Sequence, residues 1–152
     1  ESSDEVMILS GDKDFIQLQI YPNVKQYSPI TKKMINGINP DDYLKEHVLK
    51  GDSSDGVPNV LSPDNSFVDG IRQKPLSKKK ISAMISGRFP NDEIKRNYQR
   101  NKTLIDLGCI PSELRTEILD IYKEAPQNKR SKILSYFIKQ RLKTLTESIG
   151  EF

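Results

Sequence analysis

The chain opens polar and then turns apolar without a break over Val6-Met7-Ile8-Leu9. An unbroken run of this kind suits a strand buried on both faces, as in a parallel sheet, so Val6–Ser10 is predicted to be one. Asp12–Leu18 reads as a turn entering one or two helical turns. Val24–Tyr27 and Lys32–Ile35 are short β-prone pieces around Ser28-Pro29, predicting an edge hairpin. From residue 39 the pattern becomes helical. Asn39-Pro40-Asp41-Asp42 supplies an N-cap, a first-position proline and first-turn acids, and Gly51 ends the helix that carries Tyr43, Leu44, Val48 and Leu49. Residues 51–75 form a loop rich in Pro, Gly, Asn and Asp, a length uncommon unless functional or mobile. Further helices are predicted over Ser77–Ser86 (capped by Ser77, stopped by Gly87), Asn91–Leu107 (closed by Gly108), Ser112–Glu124, Asn128–Leu142 and, shorter, Thr144–Ile149. The expected class is mainly α with a small β remnant in front.

Size and composition narrow this picture without changing it. At 152 residues the chain fits one domain, or one plus a fragment. It is 35% hydrophobic and 30% charged, as globular proteins are. No apolar run approaches the ~18–20 residues of a membrane span, and no signal-peptide pattern opens it, so no membrane partner is expected. The single cysteine, Cys109, excludes an internal disulfide and fits a reducing, cytoplasmic setting. Cys109 and His47 stand far apart in sequence without companions, which argues against zinc. Cys109 reads as a small buried apolar residue and His47 as an ordinary helix-surface residue. The chain also starts without Met and enters its strand almost at once. A parallel sheet needs neighbouring strands, so the expectation is a fragment, or the downstream product of a split gene, lacking most of its sheet.

The net charge of +3 hides a segregation. Residues 1–69 hold 12 acids and 6 bases. Residues 72–102 hold 10 bases against Asp92 and Glu93 alone. Residues 128–143 add Lys129, Arg130, Lys132, Lys139, Arg141 and Lys143 with no acid. Lysines in a single run usually just solvate a helix face. A concentrated, unpaired excess following an acidic region instead fits a site where metal and polyanion meet.

Two acidic clusters supply that site. Asp12 and Asp14 leave the end of the first strand, and Asp52 and Asp55 follow the helix that stops at Gly51. Paired carboxylates at such ends suit Mg²⁺, which takes hard oxygen ligands and keeps waters and substrate phosphate beside one or two carboxylates. Each cluster alone is equally compatible with a turn or an N-cap, since aspartate bonds nearby backbone N–H groups.

Taken with Ile8-Leu9-Ser10-Gly11-Asp12-Lys13-Asp14-Phe15-Ile16-Gln17-Leu18, Tyr21-Pro22-Asn23-Val24-Lys25-Gln26, Gly51-Asp52-Ser53-Ser54-Asp55 and the tail from Ser135-Tyr136-Phe137 to Glu151-Phe152, the chain resembles the later half of the 5′→3′ exonuclease and flap endonuclease family, in its bacteriophage T4-type ribonuclease H branch. The resemblance implies that residues 1–38 are the C-terminal edge of a PIN/resolvase-like α/β nuclease core. Residues 39–152 would be a helical DNA-binding domain, with a helix-three-turn-helix (helix-hairpin-helix-like) region over 40–87. Asp12, Asp14, Asp52 and Asp55 would be catalytic metal ligands for Mg²⁺ or Mn²⁺, two ions in the complete protein. Ser77, Lys78, Lys79, Lys80 and Arg88 would contact nucleic acid. The implied substrates are DNA, RNA–DNA duplexes and 5′ flaps, cut near 5′ ends.

The implied partners are the missing N-terminal half, which holds the remaining acids, and replication proteins. Without that half the isolated chain is expected to be inactive. The sequence departs from the family between the two helices, where a short Gly-x-Gly hairpin is replaced by residues 59–70 and beyond, so the monovalent-ion site built there in some members is not expected. Two other readings remain open: a non-catalytic DNA-binding module using the basic helices, and a docking domain for a sliding clamp or single-strand-binding protein through Tyr136, Phe137 and Leu142.

Overall fold

A computed structural model describes residues 4–124 and 131–151. The fold is mainly helical with a small three-stranded sheet. β1 (Val6–Leu9) lies parallel to β2 (Val24–Ser28), joined through a 3-10 helix over Lys13–Ile20. β3 (Lys33–Ile35) pairs antiparallel with β2, the edge hairpin expected from sequence. Then come α1 (Pro40–Lys50), α2 (Lys78–Ile85), α3 (Asp92–Ile105), α4 (Ser112–Glu124), α5 (Ser131–Lys139) and α6 (Lys143–Glu147). Compactness divides the chain into residues 1–110 and 111–152.

The caps explain why the first unit's helices begin where they do. Asn39, Ser77 and Asn91 each accept a hydrogen bond from the third residue on, satisfying an amide that helix geometry leaves unpaired. Two small apolar clusters hold these helices together. Leu49, Val60, Ile81 and Met84 form one, with Phe89 and Tyr98 against it; Val48, Val57 and Ile105 form the other.

The loop between α1 and α2 has no helix or strand, yet it is anchored. Val57 and Val60 are core residues. The Asn59 amide donates to Gln73 Oε1 at 2.7 Å and its side chain to the Lys74 carbonyl at 2.9 Å. The Lys74 amide donates to Ser62 Oγ at 2.9 Å, so both arms of the loop are laced together.

α3 supplies polar clamps from its buried face. Asn97 donates to the Val60 carbonyl at 3.0 Å, and Asn101 donates to those of Val48 and Pro58, each at 2.9 Å. Both asparagines are at least 98% buried, and the clamp fixes the end of α1 against the loop that leaves it.

Several expectations are corrected here. Val6, Met7 and Leu9 are 41%, 48% and 69% exposed, so β1 is not buried on both faces. Among the described residues only β2 pairs with it, which leaves its other edge without a strand. Cys109 is half-buried rather than buried. In the second unit Phe137 is buried, whereas Tyr136 is exposed at 58% and Leu142 at 37%. The basic run 128–143 begins with Lys129 and Arg130, which lie outside the described residues, as does the start of the helix expected from Asn128. Among the described residues no helix is long and apolar enough to cross a membrane.

Candidate metal centre

Asp12 and Asp14 are held where β1 runs into the 3-10 helix. Asp12 caps that helix, its Oδ1 accepting from the Asp14 amide at 3.0 Å. Beneath them Gln26, fully buried, donates from Nε2 to the carbonyls of Ser10 and Asp12. The floor of the turn is therefore fixed by a side chain from β2. Gln17 ties the same 3-10 helix to the end of α3, donating to the Ile105 carbonyl at 3.0 Å and accepting from the Leu107 amide at 3.1 Å.

Asp52 is brought back toward this turn by the glycine before it. Gly51 has φ +68°, and a Cβ there would stand 2.3 Å from the Val57 carbonyl oxygen. Only glycine fits such a conformation with backbone so close. The Val57 amide then closes the turn on the Asp52 carbonyl at 2.7 Å. Asp52 Oδ1 accepts from the Ser54 amide at 2.8 Å, from the Ser54 hydroxyl and from the Asp55 amide at 3.4 Å, leaving Oδ2 directed elsewhere.

Oδ2 faces His47. The imidazole Nε2 lies 3.4 Å from Asp52 Oδ2 and 3.3 Å from Asp14 Oδ1. That nitrogen is buried and has no hydrogen-bond partner among the described residues. His47 stacks on Tyr43, four residues earlier on α1, with ring centroids 5.5 Å apart. Asp14, His47 and Asp52 each place a ligand atom within 4.8 Å of the others. Together with Asp12, Lys13 and Tyr43 they line a cavity of about 420 Å³.

The electrostatics show crowding. Burial and the Asp12 charge push the Asp14 carboxyl above its ordinary range; Asp52 and Asp55 add to this while His47 opposes it. Burial and the charges of Asp14, Asp52 and Asp12 also raise the Tyr43 phenol. Asp52 moves the other way, because the Ser54 hydroxyl bonds its charged form. Two half-buried carboxylates and an unpartnered ring nitrogen, beside a third carboxylate, form a donor set suited to a divalent cation.

Three of the four sequence-predicted acids thus line one cavity. The fourth, Asp55, is exposed outside that lining but close enough for its charge to act on Asp14. The reading of His47 as an ordinary surface residue is corrected: its side chain is only 15% exposed and wedged between two carboxylates. One signal was available, since Tyr43 and His47 stand at i, i+4 and so share a helix face.

The predicted nucleic-acid residues lie elsewhere on the first unit. Ser77 caps α2, and Lys78, Lys79 and Lys80 are exposed along its first turn. Arg88 is exposed just beyond that helix. Lys80 joins Lys74, Asn91 and Glu93 around a second cavity of about 330 Å³. The basic excess is not wholly unpaired, however. Arg96 and Arg100 both bind Asp64, Arg96 in two-pronged fashion at 2.9 and 3.0 Å. Two of the ten bases therefore serve the fold.

The family model described as "T4 RNase H, C terminal" matches residues 40–152. The chain belongs to this T4 RNase H C-terminal family. Over 160 aligned positions it is 36% identical to "Ribonuclease H" of Enterobacteria phage T4, covering 97% of this chain and 52% of that protein. It is also 24% identical over 161 positions to "DNA polymerase I" of Bacillus subtilis (strain 168), covering 18% of that protein. The chain spans about half the length of the phage relative and less of the polymerase. Within the T4 RNase H C-terminal family, this chain corresponds to the later half of a T4-type 5′→3′ exonuclease. The matched family region contains Asp52 and Asp55, while Asp12 and Asp14 precede it.

Proposed function

We propose that the chain is the DNA-binding and partial metal-site portion of a 5′→3′ exonuclease/flap endonuclease that hydrolyses phosphodiesters near 5′ ends of DNA or RNA–DNA duplexes. One observation carries the reading: acids 38 residues apart in sequence, Asp14 and Asp52, meet across one imidazole in a single cavity. Residues 1–38 are read as the closing edge of a PIN/resolvase-like core, and 39–152 as the helical DNA-binding domain with a helix-three-turn-helix region over 40–87.

Asp12, Asp14, Asp52 and Asp55 are assigned as ligands for Mg²⁺ or Mn²⁺, with two ions in the complete protein. Bound divalent ions supply the charge that activates water and stabilises the leaving oxygen of a phosphodiester. This chain's own residues hold negative charge ready. The Ser54 hydroxyl keeps Asp52 ionised, and Gln26 and Gly51 fix the two turns so that the acids need not reorganise. Lys13 on the cavity wall, and Ser77, Lys78, Lys79, Lys80 and Arg88 on and beyond α2, are assigned to the phosphates. Exposed amides at a helix N-terminus favour an anion there.

The exposed apolar faces of β1 fit cover by an upstream half that also brings the remaining acids. The isolated chain is accordingly expected to be inactive. The test is reconstitution. Mixed with a complementary upstream half in Mg²⁺ or Mn²⁺, the chain should cleave a 5′-flap substrate, and Asp14→Ala or Asp52→Ala should abolish cleavage while leaving DNA binding intact. A soluble, folded pair that binds the flap without cutting it would overturn the nuclease reading. It would favour a plain DNA-binding module, in which removing those acids only tightens binding.

A further inference from the structure

We infer that His47 is a nitrogen ligand of the metal centre and turns its preference from Mg²⁺ toward first-row divalent transition ions, Mn²⁺ through Zn²⁺. This rests on the metal-site reading above and adds a donor that an all-carboxylate set lacks. Nε2 stands 3.3 Å from Asp14 Oδ1 and 3.4 Å from Asp52 Oδ2, longer than well-formed charge-assisted hydrogen bonds of about 2.7–2.9 Å. Donors that share a first-row ion at about 2.0–2.2 Å each stand roughly 3.0–3.5 Å apart. Both separations from Nε2 fall in that range, and the two carboxylate oxygens lie within 4.8 Å of each other, a spacing open to one shared cation.

The nitrogen lies against the two carboxylates without hydrogen bonding to either. It is buried and makes no hydrogen bond, whereas the neighbouring Asp52 Oδ1 is saturated by Ser54 and Asp55. Stacking on Tyr43 helps hold the ring plane, so its direction does not depend on an ion being bound. Imidazole is a borderline donor that Mg²⁺ accepts poorly and the transition series accepts well, with affinity rising from Mn²⁺ to Cu²⁺ and falling again at Zn²⁺.

His47 is the only histidine, which makes the test direct. On the full chain with Cys109→Ser, to remove the one thiol, Mn²⁺ binding and its displacement by Mg²⁺ are followed by electron paramagnetic resonance. Imidazole ¹⁵N resonances are followed as Zn²⁺ is added. The expected result is a selective move of the Nε2 resonance to its metal-bound position, and a Mn²⁺-over-Mg²⁺ preference that falls about tenfold or more in His47→Gln. His47→Ala serves as a second variant, and near-ultraviolet circular dichroism checks that each variant is folded. An unmoved Nε2 resonance with an unchanged Mn²⁺/Mg²⁺ ratio in both variants overturns the inference. If Asp14→Ala and Asp52→Ala still abolish binding in that case, the metal centre stands and only the role of His47 is lost. If those variants bind like the parent, or if the parent binds no divalent ion, the metal-site reading falls with it.

Discussion

Two acid-centred regions of the first unit answer the same problem in opposite ways. Around Asp64 the negative charge is met in full: Arg96 grips the carboxylate with two nitrogens, Arg100 adds another bond, and the carboxyl is held below its ordinary range by the Arg96 hydrogen bonds. Around Asp14 burial and three neighbouring acids push the carboxyl up, and His47 opposes them. The chain has bases to spare and does not place enough of them at Asp14. Acids that serve folding are neutralised by the protein, whereas acids left crowded in a cavity are arranged for a charge that arrives from outside.

The strongest way to break the contrast is at Gly51, whose turn positions the acidic cavity and rests on the Val57 and Pro58 backbone. Gly51→Ala forces a Cβ into the Val57 carbonyl and is expected to cost more than about 3 kcal/mol by chemical denaturation, disrupting the cavity. Next is Asn101, which holds the Val48 and Pro58 carbonyls and accepts from Arg100. Asn101→Ala strands the buried Val48 carbonyl and leaves that of Pro58 to Arg100 alone, and is expected to cost about 2–3 kcal/mol, loosening both regions together.

Smaller changes separate the two regions. Asp64→Ala is expected to cost about 1 kcal/mol, because its carboxylate is half exposed and solvent screens much of the pairing. Its pH signature follows from the lowered carboxyl. The stabilisation is fully present above the ordinary carboxylate value and is lost as pH falls through the depressed folded value, so Asp64→Ala flattens the acid limb of the stability profile. Asp14 has the opposite sign. Its raised value means the ionised form costs stability, so acidification toward the carboxylate range relieves strain before the Asp64 loss begins. Asp14→Asn is expected to raise the melting temperature slightly at neutral pH without added metal, and to remove the further rise that Mn²⁺ gives the parent chain. A parent chain that gains nothing from Mn²⁺, or an Asp14→Asn chain that melts lower, would break the contrast.

Much of this was legible from residue order because the signals are local. Caps at Asn39, Ser77 and Asn91 need only a side chain and an amide three residues on, so the starts of α1, α2 and α3 could be read directly. The stop at Gly51 and the hairpin after Tyr21 belong to the same class. Asn97 and Asn101 are not legible as clamps in the sequence, because asparagine on a helix usually faces water. Their position, in the stripe shared with Ile94, Tyr98 and Ile105, was the available cue.

What the order of residues determined alone was the helical class, the helix starts, the family resemblance and the two aspartate clusters as candidates, all carried by contacts spanning a few positions. What only the tertiary structure decided was which polar groups are already satisfied. By sequence Arg96 and Arg100 read as free cations, yet Asp64, more than thirty residues away, holds both. By sequence His47 reads as a surface residue, yet Asp14 and Asp52 converge on its ring from separate turns. A charge is spent or available according to what lies within a few ångströms of it, and that distance is fixed by packing rather than by sequence separation.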